Sequence, residues 1–152
     1  MRNLQNKKVY AEIMERLQNI KPESPRLWGK MTAHQMICHL TDAFRGVMGK
    51  KHVAPTGTLF QRAVVKRLML NLPPMPVRNY PTSPEIDQEI GGTTPAEFGA
   101  DMEKLYSIIL DFIRDGDEFR RWSHPFFGSL SRREWSRWAY LHLNHHLKQF
   151  GR

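Results

Sequence analysis

Cysteine is nearly absent from this chain. Cys38 is the single one among 152 residues, so no intramolecular disulfide framework exists and core burial has to hold the fold. Such sparing use suits a reducing compartment, and a cytoplasmic location is expected. Cys38 reads as a small buried apolar residue rather than a nucleophile. No apolar run approaches the length of a membrane span. The stretch Met1-Arg2-Asn3-Leu4-Gln5-Asn6-Lys7-Lys8 has no apolar core of the kind a secretory leader needs. Strand-like alternation, internal repeats and low-complexity segments are missing too, which argues against β, solenoid and disordered classes.

Acidic residues are fewer than basic ones, 15 against 23, for a net charge of +8. The excess is spread thinly, over Lys7/Lys8, Lys50/Lys51, Arg62/Lys66/Arg67, Arg120/Arg121 and Arg132/Arg133/Arg137. No basic arm or nucleic-acid module is visible. Basic charge by itself supports only non-specific, salt-sensitive attraction, so nucleic acid is not the expected partner. The hydrophobic fraction of 40% and charged fraction of 25% suit one globular domain over residues 1–152.

What the chain does have is helical periodicity. Val9, Ile13, Leu17 and Ile20 predict a first helix over about residues 4–19, stopped by Pro22 and Pro25. Thr32 is the expected N-cap of a second helix reaching Val47 or Met48, with Met36, His39, Leu40, Ala43 and Val47 facing inward and Gly49 as a stop. Residues 50–93 read as a long crossover. It carries one short amphipathic stretch from Thr58 to Leu70, then a proline run (Pro73, Pro74, Pro76, Pro81, Pro84) closed by Gly91 and Gly92. Thr94 as N-cap, Pro95 at the first helical position and Glu97 as capping-box partner predict a third helix through Phe98, Met102, Leu105, Ile109 and Phe112, ended by Asp115-Gly116-Asp117. Ser131 and Glu134 form a second capping box for the last helix. The expected fold class is all-α: a four-helix bundle of up-down-down-up course with a short extra helix in the crossover.

Three of the seven histidines crowd into His142-Leu143-Asn144-His145-His146. His142 and His146 are four apart, so both imidazoles stand on one helix face, beside Trp135 and Trp138. A buried imidazole needs a hydrogen bond or a metal ion, because an unpaired buried polar group costs about 1–3 kcal/mol. Two readings stand at this point. The pair belongs to a polar core bonded to Asn144, Gln149 or backbone groups, or it ligates a metal. A third ligand is then required, and His39 on the inward face of the second helix is the best candidate, with Asp42 on the same face to hold an imidazole or a water. His145, three from His142, competes with His146; alignment at four residues favours His146. His34, near its helix start, is a weaker candidate. His52 and His124 read as loop residues facing solvent or local hydrogen-bond partners. Trp28, Trp122, Trp135 and Trp138 read as packing, with Trp135 or Trp138 also placed to wall a substrate pocket. Three nitrogen ligands leave coordination positions open, as in catalytic rather than structural sites, and suit zinc, nickel, iron or cobalt.

The string His124-Pro125-Phe126-Phe127-Gly128, then Glu134-Trp135, then His142-x-x-His145-His146-x-x-Gln149-Phe150-Gly151, resembles the DinB-like superfamily, and within it an uncharacterised branch with this signature. Trp28-Gly29-Lys30-Met31-Thr32-Ala33-His34-Gln35-Met36 and His39-Leu40-x-Asp42 agree. The resemblance implies an up-down-down-up four-helix bundle, a divalent metal (most often nickel or zinc) on His39, His142 and His146, and a homodimer. Some branches are thiol transferases and another isomerises maleylpyruvate. A metal-dependent transferase or hydrolase acting on a small molecule, with a low-molecular-weight thiol as co-substrate, is the leading expectation. No catalytic residue carries over to this branch, and nothing specific matches in 50–93. The alternative is a non-catalytic stress-response or binding module with a structural or vestigial metal.

Overall fold

The computed structural model describes residues 1–58, 60–71, 81–114 and 118–152. Among the described residues there are five α-helices and no strand; His124 and Gly128 form an isolated β-bridge.

Helix α1 spans Lys7–Gln18. The Asn6 side chain accepts from the Lys8 and Val9 amides at its start, so the helix begins three residues later than periodicity suggests. Its Ile13 and Leu17 are fully buried. Helix α2 spans Ala33–Val47, and the expected Thr32 cap is present as a reciprocal box with Gln35. Met36, Ile37, Leu40 and Phe44 have no exposed surface. Gly49 follows at φ +72°, a left-handed conformation that costs glycine nothing.

The crossover holds the expected short helix in two pieces, a π-helical turn Gln61–Val65 and α3, Lys66–Asn71. Leu70 is buried, and its carbonyl accepts from Arg137 Nε at 3.2 Å, which ties α3 to the last helix. Pro73, Pro74 and Pro76 lie outside the described residues, as do Asp115, Gly116 and Asp117. Pro84–Ile86 form a 3-10 turn packed on α2.

Helix α4 spans Phe98–Arg114 and corrects the expected start at Thr94–Pro95. Glu97 is not a third-position partner. Its carboxylate accepts from the Gly99 and Ala100 amides and does the capping itself. Carboxylates from α2 and from the first turn of α4 itself engage the residues before it. Asp42 takes the Thr93 amide (2.6 Å) and hydroxyl (2.7 Å), and Asp101 takes the Ala96 amide (3.0 Å). Helix α5 spans Arg132–Gln149, with the Ser131/Glu134 box as expected.

Contacts between termini fix helix directions. The first turns of α2 and α4 meet at His34 and Asp101 (2.8 Å), and their last turns meet at Phe44 and Phe112 (ring centroids 5.0 Å), so the two run the same way. Near the start of α1, the Leu4 amide donates to the Ser136 carbonyl in the first turns of α5. Near its end, Arg16 donates to Asn144, so this pair also runs the same way. Helices α2 and α5 run oppositely: Phe44, late in α2, meets Trp138, early in α5. One continuous core joins all five. At one end an aromatic layer stacks Phe112 on Trp122 and sets Trp135 and Trp138 edge to face. Each such ring contributes on the order of 2–3 kcal/mol by burial. This layer is the floor on which the histidines sit.

Candidate metal centre

Helices α2 and α5 bring His39, His142 and His146 together. Ring centroids are 5.5 Å apart for His39–His142, 4.7 Å for His39–His146 and 4.8 Å for His142–His146. Each ring offers a nitrogen within 4.8 Å of those of the other two. One residue from the middle of α2 faces two on successive turns of α5.

Hydrogen bonds decide which nitrogen each ring presents. His39 Nδ1 lies 2.8 Å from the Ile86 carbonyl, and a carbonyl only accepts, so Nδ1 carries the proton and Nε2 the lone pair. His146 Nδ1 lies 2.6 Å from Gln149 Oε1, with the same consequence. Nε2 of His142 is shielded from solvent and has no hydrogen-bond partner among the described residues. Outer hydrogen bonds that fix the tautomer of an imidazole are the usual support of metal ligands. The donor set therefore fits a divalent cation: neutral imidazole nitrogens, two oriented from behind, and a buried nitrogen left without a protein partner.

The electrostatics agree with neutral rings. Burial pushes His39 down, against the pull of the Ile86 carbonyl and of Asp42 and Asp87. Burial pushes His142 well below its ordinary value, helped by His39, His145 and His124. His146 is held well below as well, by burial and then by His39, His142 and His145, with Gln149 opposing.

The other expected site residues fall into three places. Gln149 supports His146, and Trp138 stacks on His142 (centroids 5.3 Å, planes 20° apart). His145 sits at the rim, edge-on to both Trp28 (4.9 Å) and His146 (5.0 Å). Asp42 and Trp135 point elsewhere. Asp42 is fully buried, but its carboxylate is taken by Lys51 (2.8 Å) and Thr93. Burial would raise its pKa, yet these donors outweigh that and hold it low. Trp135 packs a layer further down, against Phe112 and Trp122. His52 is exposed. His124 is a local hydrogen-bond partner and not a solvent group. Its Nδ1 accepts from the Phe126 and Phe127 amides (3.1 Å each), it packs edge-on to Trp138 (5.4 Å), and burial lowers its pKa to about 3.

Sequence reasoning missed a second cluster. His34 Nε2 lies 2.8 Å and Cys38 Sγ 3.7 Å from the same oxygen, Oδ2 of Asp101. The other oxygen, Oδ1, accepts from Lys104 Nζ at 2.8 Å. The four-residue spacing of His34 and Cys38 on α2 was the available signal; the third member comes from α4.

The three-histidine set uses residues that the chain's two signature blocks contribute together. No curated protein and no solved structure matches the chain. A family model does match, over residues 2–152: the chain belongs to the family described as "Protein of unknown function (DUF1569)".

Proposed function

We propose that this chain is a divalent-metal protein whose His39, His142 and His146 form a centre of catalytic type, set in an up-down-down-up four-helix bundle of the DinB-like kind. The observation that carries the reading is the tautomer pattern: the Ile86 carbonyl and Gln149 hold the protons of His39 and His146 on Nδ1 and leave Nε2 for a cation. Zinc and nickel are the first candidates for such a nitrogen-only set, with iron and cobalt next. A cation held there supplies Lewis acidity and lowers the pKa of a water or thiol in an open position. The protein's own part is orientation and exclusion of water. Trp138 packs flat on His142 and closes one side, while His145 and Trp28 stand at the rim where a small molecule would enter. A low-molecular-weight thiol attacking an electrophile is the first reaction class to test, in a cytoplasmic homodimer.

The test is elemental analysis of mildly purified protein beside His39→Ala, His142→Ala and His146→Ala, followed by thiol consumption with a panel of electrophiles. Stoichiometric metal lost in each variant supports the centre. A wild-type protein that takes up neither zinc nor nickel on dialysis ends the reading. A metal-loaded protein that consumes no thiol ends its transferase half.

A further inference from the structure

Helix α2 presents ligand-type side chains on two different sides. His39 and Cys38 are adjacent in sequence and so diverge, His39 toward α5 and Cys38 toward α4. We propose that the α4 side is a second cation site, formed by His34, Cys38 and Asp101 and suited to a zinc-class ion that accepts sulfur. Their ligand atoms all lie within 4.8 Å of one another. His34 and Cys38 stand one turn apart on one helix face, and Asp101 meets them from the first turn of α4.

The chemistry of the three is what a four-coordinate thiophilic cation takes: one thiolate, one imidazole, one carboxylate oxygen, with a position left for water. The carboxylate is already prepared for single-oxygen ligation. Oδ2 faces His34 and Cys38 and keeps the Ala96 amide behind it at 3.0 Å, while Oδ1 is occupied by Lys104. Such outer hydrogen bonds hold a ligating carboxylate in place. Cys38 and Asp101 are buried, whereas His34 is 20% exposed in its side chain and provides the way in. Two rearrangements accompany binding. The imidazole proton moves from Nε2, which now donates to Asp101, to Nδ1, so that Nε2 offers its lone pair. The thiol S–H bond breaks as the S–metal bond forms, and one proton per cation leaves to solvent. The site borrows no residue from His39, His142 and His146, and it stands whether or not those three bind metal.

Cobalt(II) is the probe, because a sulfur-to-cobalt charge-transfer band in the near ultraviolet reports thiolate ligation and Cys38 is the chain's one source of sulfur ligation of that kind. Wild-type protein titrated with cobalt should develop the band. His39→Ala and His146→Ala should keep it, and Cys38→Ser should lose it. His34→Gln should weaken cobalt binding by at least the roughly tenfold to hundredfold that loss of a supporting partner costs. Added zinc should bleach the band in the wild-type protein, a readout that needs no variant to fold. Absence of the band at saturating cobalt, with the helical circular-dichroism signal intact, overturns the proposal. So does a band of undiminished affinity in both His34→Gln and Asp101→Asn, which would mean a thiolate binding alone.

Discussion

Gln149 Oε1 lies 2.6 Å from His146 Nδ1, three residues earlier on the same helix, and this bond selects the ring nitrogen that faces His39 and His142. Replacing Gln149 with leucine keeps the volume and removes the acceptor. Zinc or nickel affinity should fall by about tenfold to hundredfold in competition with a chelator, with helix content unchanged. Unaltered affinity would mean that the tautomer needs no such support.

Gly29 reaches the same glutamine from outside. It sits at φ +89°, and a Cβ there would come within 2.7 Å of Gln149 Nε2. Gly29→Ala should lower stability by about 1–2 kcal/mol in urea titration, through left-handed backbone strain. It should also shift metal affinity in the direction of the Gln149 variant. A stability loss with metal affinity unchanged would show that Gln149 can move without releasing His146.

Asp42 has no exposed surface and depends on Lys51 and Thr93. Lys51→Met leaves a buried carboxylate with the Thr93 donors alone. It should cost about 2–3 kcal/mol, less than a fully buried pair because Lys51 is partly solvated. Asp42→Asn should be milder than Lys51→Met, since no charge is then stranded. The reverse order would place the main role of Asp42 with Thr93 and not with the ammonium.

The buried histidines make the metal-free protein acid-sensitive. His124 has a folded pKa of about 3, far below the roughly 6.5 of an unfolded histidine. The unfolded chain therefore binds the proton first. The stability from keeping this ring neutral is fully present above about pH 6.5 and declines as pH falls toward 3. Between about pH 6.5 and pH 5, His124 alone should account for a loss on the order of 2 kcal/mol. Melting temperature followed over that range checks it. A flat profile would mean that His124 is protonated, or solvated, in the folded state.

Legibility in the sequence tracked how local each feature is. The caps of α2 and α5 were readable because Thr32–Gln35 and Ser131–Glu134 satisfy one another within a single turn. The start of α4 was misread for the same reason. Thr94, Pro95 and Glu97 form a good local signal, but Asp42 and Asp101 capture the neighbouring amides. His142 and His146 were legible from spacing. The acceptor for His39 was not, because Ile86 contributes a backbone carbonyl from the crossover, which no side-chain pattern advertises. His124 read as a loop residue facing solvent or bonding locally; the second holds, and Trp138 and Phe127, which close around it, are not visible in local sequence.

His39 and the pair His142/His146 come from opposite halves of the chain, and so do the partners of each same-direction helix pair. During translation α2 emerges long before α5 exists, and domains are completed as the last element docks. No cation can be gripped by three imidazoles in the nascent protein. On the proposed reading the three-histidine centre is complete only once α5 has docked, whereas the His34, Cys38 and Asp101 cluster needs only α2 and α4. A chain stalled or truncated before Arg132 would lack His142 and His146 and could not close the three-histidine centre around added metal.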